Sequence, residues 1–162
     1  MEYLLLIYEF FRSKRFLSYF GLIVIPVFLS LVIYNSISVE TASNQDYSNI
    51  VTLLGILLGF TVSLFAIFLS ANNSNIREAK AKITKFKVFG RKLSVFDIMQ
   101  TSIAYVIIME CLLLLINIIL PIVITEPESR KIFLVINMGV LVHIVIILLR
   151  SLLDFYFALS KK

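Results

Sequence analysis

Four stretches of roughly 20 apolar residues, about 16–34, 49–70, 101–124 and 132–155, constrain this chain more than any motif does. A helix rising 1.5 Å per residue needs about 20 such residues to cross a hydrocarbon layer about 30 Å thick. With 60% hydrophobic residues and 15% charged ones, the 162-residue chain is too apolar for an ordinary soluble domain. The stretches run apolar on every face instead of alternating, which argues against a membrane β-barrel. The expectation is an all-α integral membrane protein with four transmembrane helices in one bundle.

The charges give the orientation. Arg12, Lys14 and Arg15 precede the first span, and Arg77, Lys80, Lys82, Lys85, Lys87, Arg91 and Lys92 lie between the second and third. Arg150, Lys161 and Lys162 end the fourth, so 13 of the 15 basic residues fall on one side, leaving Arg130 and Lys131 on the other. By the positive-inside rule both termini and the middle loop are cytoplasmic, in the inner (plasma) membrane. Topology thus accounts for the net charge of +5 without a nucleic-acid partner. Residues 1–15, with "YLLLIYEFF" ahead of "RSKR", are expected as an interfacial amphipathic segment rather than a cleavable signal. Residues 156–162 form a cytosolic tail.

Residues 71–100 are the one sizeable extramembrane connection. Ile76, Ala79, Ile83 and Phe86 recur at helical spacing with Arg77, Lys80, Lys82 and Lys85 around them, which predicts a cytosolic basic helix broken at Gly90. Its cations suit anionic lipid or a cytosolic protein partner. Ser94 and Asp97 in "SVFD" have the spacing of a capping box opening the third span's helix.

Inside the spans, "GILLGFTVS" sets Gly55, Gly59 and Ser63 on one face, a pattern that lets helix backbones approach another span or another subunit. Thr61 and Ser70 add polar character to that helix, while Pro26 and Pro121 lie within spans and free backbone carbonyls. The "TEPESRK" turn makes the third and fourth spans an antiparallel hairpin. Residues at equal depth then have nearly constant summed numbers: Asn117 faces Asn137, Glu110 faces His143, and Tyr105 faces Arg150. A charged carboxylate at mid-bilayer costs about 2.5–3.5 kcal/mol on insertion scales, so Glu110 must find a partner or keep a proton. Glu110, His143, Asn117 and Asn137 are therefore the expected intramembrane polar layer or ion pathway, with polar glue for the hairpin as the structural alternative. Arg150 and Asp154, one turn apart, are expected to pair at the inner interface.

The single Cys111 excludes an intrachain disulfide and reads as a buried, inert hydrophobe; the single His143 excludes a multi-histidine metal site within one chain. No phosphate-binding loop, nucleophile elbow or HExxH occurs, and neither enzymatic chemistry nor a cofactor is expected. Three functions follow: an ion-conducting or membrane-permeabilising homo-oligomer, an anchor or sensor subunit recruiting a cytosolic partner through the basic loop, and a proton-coupled transporter. In span count the chain resembles the four-span accessory proteins beside bacterial antiviral systems, which implies the second. Small multidrug-resistance transporters also have four spans and one membrane glutamate, but theirs lies in the first span, where residues 16–34 hold none.

Overall fold

The computed structural model describes residues 16–36, 44–88 and 91–160. The elements are α1 (Phe16–Ser36), α2 (Asn44–Ser70), α3 (Ser74–Ala81), β1 (Ile83–Val88), β2 (Arg91–Ser94), α4 (Val95–Val123) and α5 (Pro127–Ser160). Helix accounts for 87% of the described residues, and three helices are long and apolar enough to cross a membrane: Asp46–Ser70, Val95–Val123 and Pro127–Phe157. The chain is a helical membrane protein. The interfacial segment expected over 1–15 and the helix break expected at Gly90 lie outside the described residues.

Helices α4 and α5 are the centre of the bundle. Helix α2 packs mainly on α4, and α1 packs mainly on α5, so the first helix is the periphery. Leu54, Thr61, Phe68, Ile103, Val106, Ile144 and Ile147 are fully buried between these helices, whereas the outward faces carry exposed Ile, Leu, Val and Phe, as lipid as solvent dictates. Cys111 belongs to that outward face: it is exposed, not buried as expected, because it adjoins Glu110 and a helix turns 100° per residue.

Both ends of the α4–α5 hairpin have identifiable fastenings. The three residues Ile124–Thr125–Glu126 connect the helices, and Pro127 is the first helical residue of α5, where its missing N–H costs nothing. Arg130 donates from Nε to the Ile124 carbonyl (2.7 Å) and from Nη2 to the Pro121 carbonyl (3.4 Å), covering acceptors at the α4 C-terminus. Tyr47 of α2 donates its hydroxyl to the Arg130 carbonyl, 2.8 Å. At the opposite end Phe68 stacks on Phe96 (4.5 Å between centroids) and meets Phe155 edge-on (5.5 Å), joining α2, α4 and α5.

The connection between α2 and α4 differs from expectation. Asn73 caps α3 by accepting the Ile76 N–H (2.8 Å), and Ile76 and Ala79 bury against the bundle as their spacing predicts. The helix stops after Ala81, however, and the strands Ile83–Val88 and Arg91–Ser94 pair as an antiparallel hairpin. "ITKFKV" explains the change. Its β-branched residues favour a strand, and alternation leaves Ile83, Lys85 and Lys87 outside while Thr84 and Phe86 turn inward. Ile83, assigned by helical spacing to the buried side, is 64% exposed. Thr84 donates to the Leu93 carbonyl (2.7 Å), pinning the hairpin where its register is irregular. The capping box follows directly: Asp97 N–H donates to Ser94 Oγ (3.0 Å) and Ser94 N–H to Asp97 Oδ2 (2.9 Å).

Candidate functional site

Helical geometry brings Glu110 and Asn117 to one face of α4. Seven residues are nearly two full turns, so both side chains point into the seam between α2, α4 and α5, about 10 Å apart along the axis. Asn137 enters the same seam from α5. Its Nδ2 donates to Asn117 Oδ1 (2.9 Å), and Asn117 Nδ2 donates to the Leu113 carbonyl (2.8 Å). Both amides are buried and bonded, which makes this the one layer that hairpin depth anticipated correctly.

Glu110 and His143 do not meet. Glu110 is fully buried and turns toward α2, where Thr61 Oγ1 lies 3.1 Å from Oε1. Its Oε2 is buried with no hydrogen-bond partner. Thr61 also contacts the Leu57 carbonyl at 2.9 Å, so its single hydroxyl hydrogen has two acceptors within reach. No cation among the described residues is bonded to the carboxyl.

His143 faces the other way, toward α1, and Pro26 is the reason. Proline has no N–H, so the helix leaves the carbonyl four residues earlier, that of Leu22, without its usual donor. His143 Nδ1 donates to that carbonyl at 2.8 Å. Such a bond fixes the proton on Nδ1 in the neutral ring and leaves Nε2 as acceptor, where the Tyr105 hydroxyl donates at 3.1 Å. The Tyr105 ring meets the imidazole edge-on at 6.1 Å. Tyr105 thus takes His143 as partner in place of the expected Arg150. One turn from His143, Gly139 lies against α1. A Cβ there would collide with Ser30 Oγ, which donates to the Pro26 carbonyl at 2.8 Å.

The remaining candidates separate. Gly55, Gly59 and Ser63 are exposed, and a Cβ on either glycine meets nothing within 4 Å, so the small-residue face looks out of the bundle. Arg77, Lys80, Lys82, Lys85, Lys87, Arg91 and Lys92 are all exposed across α3 and the hairpin. Among them, Lys80 Nζ sits 4.6 Å above the Phe96 ring, and Arg91 lies 3.7 Å from Asp97 Oδ2. Arg150 and Asp154 are both exposed and are not joined by an ion pair.

Sequence reasoning missed the Thr61–Glu110 contact and the Pro26–Leu22–His143 arrangement. Thr61 was visible as a polar residue in an apolar span, and Pro26 as the source of a free carbonyl; what one chain could not reveal was which helix lies beside which. Among the described residues no three His, Cys, Asp or Glu side chains converge on a metal-sized site. The chain matches no protein-family profile, no curated protein and no solved structure.

Proposed function

We propose that the chain is a four-span protein of the inner (plasma) membrane, both termini cytoplasmic, that works as a homo-oligomer and conducts protons or small cations past Glu110. The observation that supports this reading is the fully buried carboxyl with one oxygen unpartnered, held in an apolar span beside Thr61. A group this costly to bury in lipid marks a working position more often than a structural one, which an apolar residue would fill better. The shortage of hydrogens at Thr61 has a direct remedy: a proton on Glu110 donates to Thr61 Oγ1, freeing the Thr61 hydrogen for Leu57. Loss of that proton breaks the arrangement, so the site is sensitive to proton occupancy. The outward small-residue face of α2, Gly55, Gly59 and Ser63, is the natural contact between copies.

Proton and ion flux in proteoliposomes tests the proposal, with wild type and Glu110→Gln compared at equal reconstitution and equal assembly. Flux that the substitution abolishes or alters in selectivity supports it; absence of flux from the assembled wild type overturns it. A second reading, a subunit that recruits a cytosolic partner, is favoured by seven exposed cations gathered on α3 and the hairpin. It predicts that replacing Lys80, Lys82, Lys85 and Lys87 with Gln abolishes co-purification of an acidic partner, while Glu110→Gln leaves it intact.

A further inference from the structure

A cavity of about 660 Å³ runs between α1 and α5, floored by Tyr105 and Met109 of α4. Its walls are apolar and open sideways: Val27, Leu31 and Ile136 are more than half exposed. Its inner end is closed by the His143–Tyr105 pair, near the midpoint of the apolar span Pro127–Phe157. Its outer end is the ring of Tyr34, over which Lys131 Nζ stands at 4.3 Å. From Ile132 to His143 is eleven residues of helix, about 16 Å, which matches one leaflet of a hydrocarbon layer about 30 Å thick.

We propose that this groove is a binding site for the acyl tails of one bilayer lipid from the leaflet on the Lys131 side, with Lys131 attracting an anionic headgroup. Two observations converge on that occupant. The cation stands where a headgroup phosphate would be, and the tail ends where the polar pair begins. Gly139 against Ser30 holds the two walls at fixed separation, so the groove is a built slot between packed helices. The site does not depend on whether the protein conducts.

The test uses the full-length protein in vesicles of phosphatidylcholine containing phosphatidylglycerol with a photoreactive diazirine at the end of one tail. After irradiation, adducts are mapped by mass spectrometry. The expected adducts fall on Tyr105, Met109 and His143, and move to Ile132 and Ile136 when the diazirine is placed next to the headgroup. Ile136→Trp, which fills the groove from an exposed wall position, should reduce the floor adducts to the level found at outward-facing Ile119; Val27→Trp does the same from the opposite wall if the first variant fails to fold. Lys131→Gln should reduce labelling by phosphatidylglycerol relative to an equally labelled phosphatidylcholine. Floor adducts no more abundant than those at Ile119, adducts that ignore both Trp substitutions, or links to a second copy of the chain in the groove would each overturn the proposal.

Discussion

Replacing His143 with Phe keeps an aromatic ring of similar size and removes both ring nitrogens. Two hydrogen bonds vanish together, 2.8 Å to the Leu22 carbonyl and 3.1 Å from the Tyr105 hydroxyl. Hydrogen bonds between membrane helices average about 0.6 kcal/mol and reach about 1.7, so the loss should be about 1–3 kcal/mol. The Leu22 share exists because Pro26 has no N–H. Pro26→Ala restores that donor, the α1 helix satisfies its own carbonyl, and His143 becomes redundant for this bond. In the Pro26→Ala background, His143→Phe should therefore be milder by about 0.6–1.7 kcal/mol. The assay is a double-mutant cycle on reversible unfolding in bicelles, with steric trapping as the readout. A coupling energy below about 0.3 kcal/mol, the scatter of independent sites, would show that the proline-freed carbonyl is not what His143 serves.

Other expectations follow from the same geometry. Gly139→Ala drives a methyl into Ser30 Oγ and should destabilise by about 1–3 kcal/mol, whereas Ser30→Ala combined with it should recover most of the loss, since the Ser30 Cβ is at ordinary contact distance; the same unfolding assay reads both. Asn117→Leu and Asn137→Leu should each destabilise, and their coupling energy should lie near 0.6 kcal/mol and no higher than about 1.7. Glu110→Gln should stay folded within about 1 kcal/mol of wild type, because the amide presents an oxygen to Thr61 and carries no charge, while Glu110→Lys should fail to accumulate in the membrane. Ser94→Ala removes one arm of the capping box and should cost about 1 kcal/mol, seen as faster amide exchange over 91–100.

What could be read from the sequence followed physical period and length. Spans of about 20 apolar residues, the Ser94–Asp97 box and the Asn117–Asn137 layer were visible because each depends on spacing within one helix or one tight hairpin. The pairing of strands 83–88 and 91–94 was not, since "KAKITKFKV" satisfies a helical period and an alternating one at once, and β-branching at Ile83, Thr84 and Val88 decides between them. The partners of Glu110 and His143 were hidden for another reason. Depth fixes which residues lie level with one another, but the direction a side chain points depends on where α1 and α2 pack, and an all-round apolar helix carries no pattern to say so.

The bond between Leu22 and His143 spans 121 residues of chain, and that separation sets a delay during synthesis. At about 5–20 residues per second, Leu22 is made roughly 6–24 s before the imidazole that completes the α1 backbone. On the proposed four-span reading, the newborn first helix then holds an open carbonyl in lipid until His143 arrives and must shield it by other means: water drawn in at the membrane surface, a polar group of the insertion machinery, or a shallow position from which it sinks only when the last helix arrives. Arrest of translation before residue 143 should leave α1 accessible to water-soluble thiol reagents at an introduced cysteine, and release should bury it.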